Sequence, residues 1–189
     1  MARTKEFDPD DVLDRAMALF QDRGCENTSM ADLVEHLGVN RASLYATFGG
    51  KRDLYLKALA RYGERVGVPV VEALSQPGPA LPAVFALIDE YAKPQDSACL
   101  FVTTAVELAP HDPDAARAVD SGWTGLETAL TSALTRAKAQ GELHPSKDPG
   151  TLARLLLVLF QGMRVLSRTP SPEARLQDAA KEAKALLLS

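Results

Sequence analysis

The sequence predicts an all-α chain: a three-helix helix-turn-helix domain at the N-terminus, then a larger helical domain. Three observations predict it. Apolar residues recur at helical spacing along most of the chain, with no strand-like alternation. Residues 28–51 carry unusually complete helix start and stop signals. Proline and glycine clusters cut the remainder into segments of helical length.

The first helix opens at Asp8-Pro9-Asp10-Asp11: a cap, a first-position proline and two acids near the positive end of the helix dipole. Phe7 and Val12 stand at the staple positions. Val12, Ala16, Leu19 and Phe20 form its buried stripe, and Gly24 ends it. Ser29 caps the second helix, with Asp32 in the place of the capping-box acid. Met30, Leu33, Val34 and Leu37 make its apolar face, and Gly38 stops it. Asn40 caps the third helix. Val39 and Leu44 flank that cap as a second staple, which sets the angle between the two helices. Leu44, Tyr45 and Phe48 turn toward the core or the next helix, leaving Arg41, Ala42, Ser43 and Thr47 outward. Two short helices joined at a glycine turn have the shape that sets a helix in the major groove of DNA.

These residues resemble the N-terminal domain of the tetracycline-repressor (TetR) family. The run from Thr28 to Tyr55 carries the likeness. Its most specific mark is Leu44-Tyr45, then Phe48, then Lys51 three residues on. The motif covers residues 7 to about 62; beyond it the chain matches in length, helical pattern and helix order. Val34 departs from the alanine common at its position. The resemblance implies that Arg41–Phe48 is the recognition helix. Arg41 suits a two-pronged contact to guanine and Ala42 a thymine methyl. Ser43 and Thr47 suit a base or a phosphate. Tyr45 and Lys51 match phosphate-contacting positions, as does Ser29 or Thr28. With the cap Asn40, these are the candidate DNA-binding residues. Tyr45 in the core, Lys51 as a solvated helix start and Arg41 in a surface ion pair are the competing readings.

Composition bounds the rest. The 189 residues suffice for a DNA-binding module (1–52) and a medium helical domain (53–189). Net charge is −4, and residues 1–62 hold nine Lys/Arg against ten Asp/Glu. DNA reading therefore rests on motif geometry and on where charges sit, with Arg3, Lys5, Arg41, Lys51 and Arg52 expected to share one face. No secretion signal is visible, and the most apolar run, Leu152–Leu166, is short and contains Arg154 and Arg164, so no membrane partner is expected. Cys25 and Cys99 fit a reducing compartment; a bacterial cytoplasm is what the resemblance implies.

Lys51 opens a long helix with Leu54, Tyr55, Ala58, Leu59, Tyr62 and Val66 inward. Gly67-Val68-Pro69 predicts a kink or break near 66–69, either a joint between domains or an ordinary helix end. Ser75–Pro79 is a loop. Helices follow over about 81–92, 98–109 and 113–140, the last capped by Asp112-Pro113. Thr151–Ser167 is apolar on every side and must be covered on every side. In the final helix Leu176, Ala180, Ala183 and Leu187 repeat at helical spacing. Two such helices from each subunit make a four-helix bundle, the family's mode of dimerisation. The predicted interface is Leu152, Leu155, Leu156, Leu159, Leu176, Ala180, Ala183 and Leu187; the alternative is a monomer that buries both helices.

The family also holds a small effector between C-terminal helices, which implies an apolar or aromatic compound here. Candidate lining residues are Tyr62, Val66, Phe85, Ile88, Tyr91, Val102, Thr103, Trp123, Phe160 and Met163, each of which also reads as plain core. Cys99, Thr103 and Glu107 share one helix stripe facing solvent or a cavity. Cys99, near a helix start, reads as a redox sensor or a small buried residue. His36, His111 and His144 are far apart without metal-ligand spacing, and no catalytic constellation or phosphate-binding glycine loop is present, so neither enzyme, metal nor cofactor is expected. The resemblance implies a homodimeric, ligand-responsive regulator, usually a repressor, on an inverted-repeat operator. The alternative is a helical interaction module that has lost DNA binding.

Overall fold

The computed structural model describes residues 7–189 and is all-α. Nine helices occur among the described residues: α1 (Pro9–Arg23), α2 (Met30–Leu37), α3 (Arg41–Phe48), α4 (Lys51–Ser75), α5 (Ala80–Tyr91), α6 (Leu100–Glu107), α7 (Pro113–Ala139), α8 (Pro149–Leu166) and α9 (Glu173–Leu188). Arg3 and Lys5, expected on the DNA face, lie outside the described residues.

The caps explain most of these boundaries. Asp8 accepts the Asp10 amide at 2.9 Å, and Asp112 caps α7 through the amides of Asp114 and Ala115. Asp148-Pro149 is a third copy of this cap, with the Thr151 amide 2.7 Å from Asp148. It starts α8 earlier than the apolar pattern alone indicates and gives it 18 residues, longer than the run read from sequence. Ser29 and Asp32 form the reciprocal capping box, at 3.1 and 2.8 Å. Gly38 sits in the left-handed region (φ 67°), where a side chain is unfavourable.

Two apolar cores result. The N-terminal core gathers Val12, Phe20, Leu33, Leu44 and Phe48, but also Leu54, Tyr55, Ala58 and Leu59 of α4 and Leu100 of α6. Phe20 meets Tyr55 edge-on at 4.9 Å between ring centroids. Three short helices bury too little surface to stand alone, so they borrow a wall from α4 and α6. The second core packs α5, α7, α8 and α9 around Ile88, Leu130, Leu134, Phe160 and Leu176.

Three expectations are corrected. Of the kink or break expected near 66–69, the break does not occur, for α4 stays helical through Pro69. Proline removes one backbone bond there, but α4 packs along α7, and Val70 and Leu74 beyond the proline join the second core. The helix expected at 98–109 is shorter, because Cys99 occupies the N-cap and Leu108 the C-cap. Most of the expected dimer residues are spoken for: Leu152, Leu156, Leu176, Ala180, Ala183 and Leu187 are buried in their own subunit's core. The outward stripe of α8 runs one residue aside, with Leu155 (47% exposed), Val158 (70%), Val165 (53%) and Leu166 (38%), and Leu159 half-buried.

Candidate nucleic-acid interface and ligand cavity

Helix α3 turns Leu44 and Phe48 into the N-terminal core, so Arg41, Ala42, Tyr45 and Ala46 are exposed on its far side. Ser43 and Thr47 are half-buried beside them. Tyr45 is 44% exposed, which removes it from the core, and the Arg41 guanidinium lies 5.6 Å from its ring centroid. Asn40 uses its Oδ1 to accept the Ser43 amide at 2.9 Å. Of the two candidates at the start of α2, Ser29 is exposed, whereas Thr28 is fully buried and donates its hydroxyl to the Gly24 carbonyl at 2.6 Å. Thr28 is therefore structural: it ties the turn after α1. Lys51 is half-buried and donates to the Cys25 carbonyl at 2.8 Å, binding that turn to the start of α4.

Arg52 does not share the DNA face as an unpaired cation. It forks onto Asp112 at 2.6 and 2.7 Å and reaches Asp114 at 2.6 Å. Hydrogen bonding from Arg52 holds the Asp112 carboxyl down to about 2, and the α7 amides it accepts from act the same way. Glu107 faces neither open solvent nor a cavity. Its carboxylate accepts the amides of Cys25 and Glu26 at 2.9 and 3.2 Å. Tyr55 and Thr104 share a buried hydroxyl–hydroxyl bond of 2.8 Å between α4 and α6. These contacts clamp the helix-turn-helix onto α6 and the start of α7, and sequence spacing did not reveal them. Cys25 lies inside the clamp, and burial pushes its thiol up to about 11.

A cavity of about 600 Å³ opens where α4, α6, α7 and α8 meet. That volume is within the range of small-molecule sites. Tyr62, Val66, Tyr91 and Trp123 line it as expected residues, and Cys99 stands in the wall. Phe85, Ile88, Val102, Thr103, Phe160 and Met163 do not line it. Ile88, Phe160 and Met163 are sealed in the second core, Phe85 packs against that core, and α6 turns Phe101 rather than Val102 or Thr103 to the cavity. Phe101 wedges between α4 and α7, where a side-chain carbon on Gly122 would come within 2.5 Å of its ring. Gly63 and Gly122 are the sequence signal for that wedge. Arg164, the other unforeseen wall residue, lies 4.2 Å over the Tyr91 ring, which stacks on Phe160 at 4.1 Å.

An exposed recognition-type helix, braced against a helical domain that carries a partly open cavity, defines the class of helix-turn-helix transcriptional regulators with a separate helical C-terminal domain. Comparison with known proteins agrees. The model of bacterial regulatory proteins of the tetR family matches residues 12–58, and that of the tetracyclin repressor-like C-terminal domain matches residues 78–183. The chain is 39% identical to the uncharacterized HTH-type transcriptional regulator YezE of Bacillus subtilis, over 94% of this chain and 95% of the relative. It is 33% identical to the HTH-type transcriptional repressor ComR of Escherichia coli, over 94% and 88%. Among solved structures it superposes on a cysteine-substituted form of the TetR family regulator CifR, complexed with 26-bp operator DNA. That match has a TM-score of 0.87 and 28% identity, over 98% of this chain and all of the other. The chain belongs to the TetR family. It is a transcriptional regulator and, like its relatives, not an enzyme.

Proposed function

We propose that this protein is a homodimeric repressor that reads an inverted-repeat operator through α3 and is released when a small apolar or aromatic effector fills the cavity. Residues 1–52 act as the reader and 53–189 as the sensing and dimerisation domain, working in the cytoplasm. One observation carries the reading: α6 serves both parts at once. Phe101 forms cavity wall, while Thr104 and Glu107 on the same helix hold α4 and the turn before α2. A ligand that displaces Phe101 therefore acts on the element that positions the reader. Its effect on DNA affinity equals its preference between the two placements of α6.

Arg41, Ala42, Ser43, Tyr45 and Thr47 are the base- and phosphate-facing set, with Ser29 and the amide of Asn40 at its edge; Lys51 supports them from the α4 start. CifR, bound to operator DNA in its own complex, supports this assignment by likeness of fold. The outward stripe of α8 supports the dimer: Leu155, Val158, Leu159, Val165 and Leu166 are apolar, and Gly162 between them lets a second helix approach closely. A two-fold pair sets its recognition helices roughly 34–36 Å apart, or a multiple of that, in successive major grooves. Gel-shift with DNA upstream of the protein's own gene, followed by a ligand screen for release, tests the reading. Retarded, sequence-dependent complexes that dissolve on ligand addition are expected; no shift with any fragment contradicts it.

A further inference from the structure

Two buried hydrogen-bond donors in the cavity wall have nothing to bond. Trp123 Nε1 and Arg164 Nη1 are closed to solvent and lack an acceptor among the described residues. Arg164 takes part in none of the ion pairs among those residues. Glu64 and Glu72 belong to the same wall but sit at exposed positions on α4, and neither pairs with it. The guanidinium instead lies over the Tyr91 ring, 4.2 Å from its centroid, and that ring is itself backed by Phe160. Arg164 is half-buried, so its charge is partly desolvated without a counter-charge, and a buried indole N–H without an acceptor is costly in its own right. Both costs are relieved by one group: an anion with oxygens for the guanidinium fork and for the indole.

The rest of the wall limits what that anion is attached to. Leu59, Val66, Val70, Phe101 and Leu126 offer only apolar surface. Ser121 and Gln161 add polar groups to the wall, but Gln161 already donates to the Leu157 carbonyl and Arg164 is the one cation, which suits a planar monoanion better than a phosphate dianion. We propose that the effector is a flat aromatic carboxylate, its carboxylate on Arg164 and Trp123 Nε1 and its ring against Phe101. The proposal rests on the reading of this cavity as the effector site. It also places the ligand's apolar end on the residue that links the cavity to the reader.

Calorimetry on the full chain without DNA tests this, with naphthoate and naphthamide as probes. They share a shape and differ in charge. Naphthoate is expected to bind one site per chain, about tenfold tighter than naphthamide or better, as a charge-assisted fork requires. Arg164→Gln is expected to bring the two affinities within about twofold by lowering that of naphthoate alone. Trp123 is the only tryptophan in the chain, so its fluorescence reports the same event independently. Equal affinities in the unaltered protein, or no binding of either probe, overturns the proposal. Should Arg164→Gln fail to fold, Arg164→Lys keeps the charge without the fork, and the ratio in the unaltered protein still decides. Release of operator DNA is read separately by gel-shift. Carboxylate-selective binding without release keeps the ligand class and removes the induction reading. Release by naphthamide as readily as by naphthoate does the reverse.

Discussion

At the scale of single residues, the proposed DNA-reading face predicts a division between side chains that choose a sequence and those that only add affinity. Arg41 is exposed at the start of α3 and paired with no carboxylate among the described residues. Arg41→Ala is expected to cost about 1–3 kcal/mol on the preferred operator and to relax preference at one base-pair position. Tyr45→Phe removes a hydroxyl without moving the ring, so it weakens all sequences alike. A binding series on operator and scrambled DNA at several salt concentrations distinguishes the two; equal behaviour of both variants contradicts the division. Lys51 is a less clean probe than its family position implies, because its ammonium already holds the Cys25 carbonyl. Cys25 itself is buried, with its thiol pushed up to about 11, so it stays unreactive toward alkylating agents near neutral pH while the fold is intact. Mass spectrometry after iodoacetamide treatment checks this, and rapid native-state labelling of Cys25 contradicts it.

At the scale of elements, the clamp between the helix-turn-helix domain and the C-terminal domain depends on charge. Asp112 titrates at about 2 in the fold, against an ordinary value of 3.8. Its folded pKa is lowered, so its contribution is fully present above about pH 4 and is lost as pH falls toward 2. Asp112→Asn is therefore expected to flatten the acid limb of the stability curve over that window and to leave the alkaline side unchanged. Circular dichroism melts across pH measure it; an unchanged acid limb contradicts the assignment. Phe20→Ala removes the ring against Tyr55 and is expected to cost about 3–5 kcal/mol.

This scale also separates what was legible in the sequence from what was not. Helices α1 to α3 could be read because their signals are local: Asp8, Ser29 and Asn40 bond amides two or three residues on, and Gly38 answers a backbone need within its own turn. The Asp148-Pro149 cap carried the same signal but was hidden beside a stronger apolar run. Pro69 misled because propensity describes a lone helix, and α4 is held by α7 on both sides of the proline. The candidate cavity was partly legible. Tyr62 and Val66 lie on the inward stripe read for α4, and they line the cavity together with Tyr91 and Trp123. Phe101 and Arg164 enter it through contacts between helices far apart in sequence, and no spacing rule records those. Glu107 was misread for the same reason, since its partners lie more than 80 residues away.

At the scale of the whole molecule, the α8 stripe and the α3 face belong to one design. The stripe leaves Val158 70% exposed in a lone subunit, an apolar side chain that the proposed second copy would cover. Val158→Glu is expected to shift the protein toward monomer in sedimentation velocity and to weaken operator binding together with it, because half-site contacts then no longer act as a pair. An undiminished dimer in that variant contradicts the assigned interface. The central claim, that α3 is presented twice by a symmetric pair, is tested most directly by hydroxyl-radical footprinting of the purified protein on its upstream DNA. Two protected patches are predicted, related by an inverted repeat, centred one helical turn or a whole number of turns apart, and lost together in Arg41→Ala. A single unpaired patch, or protection that ignores sequence, contradicts it.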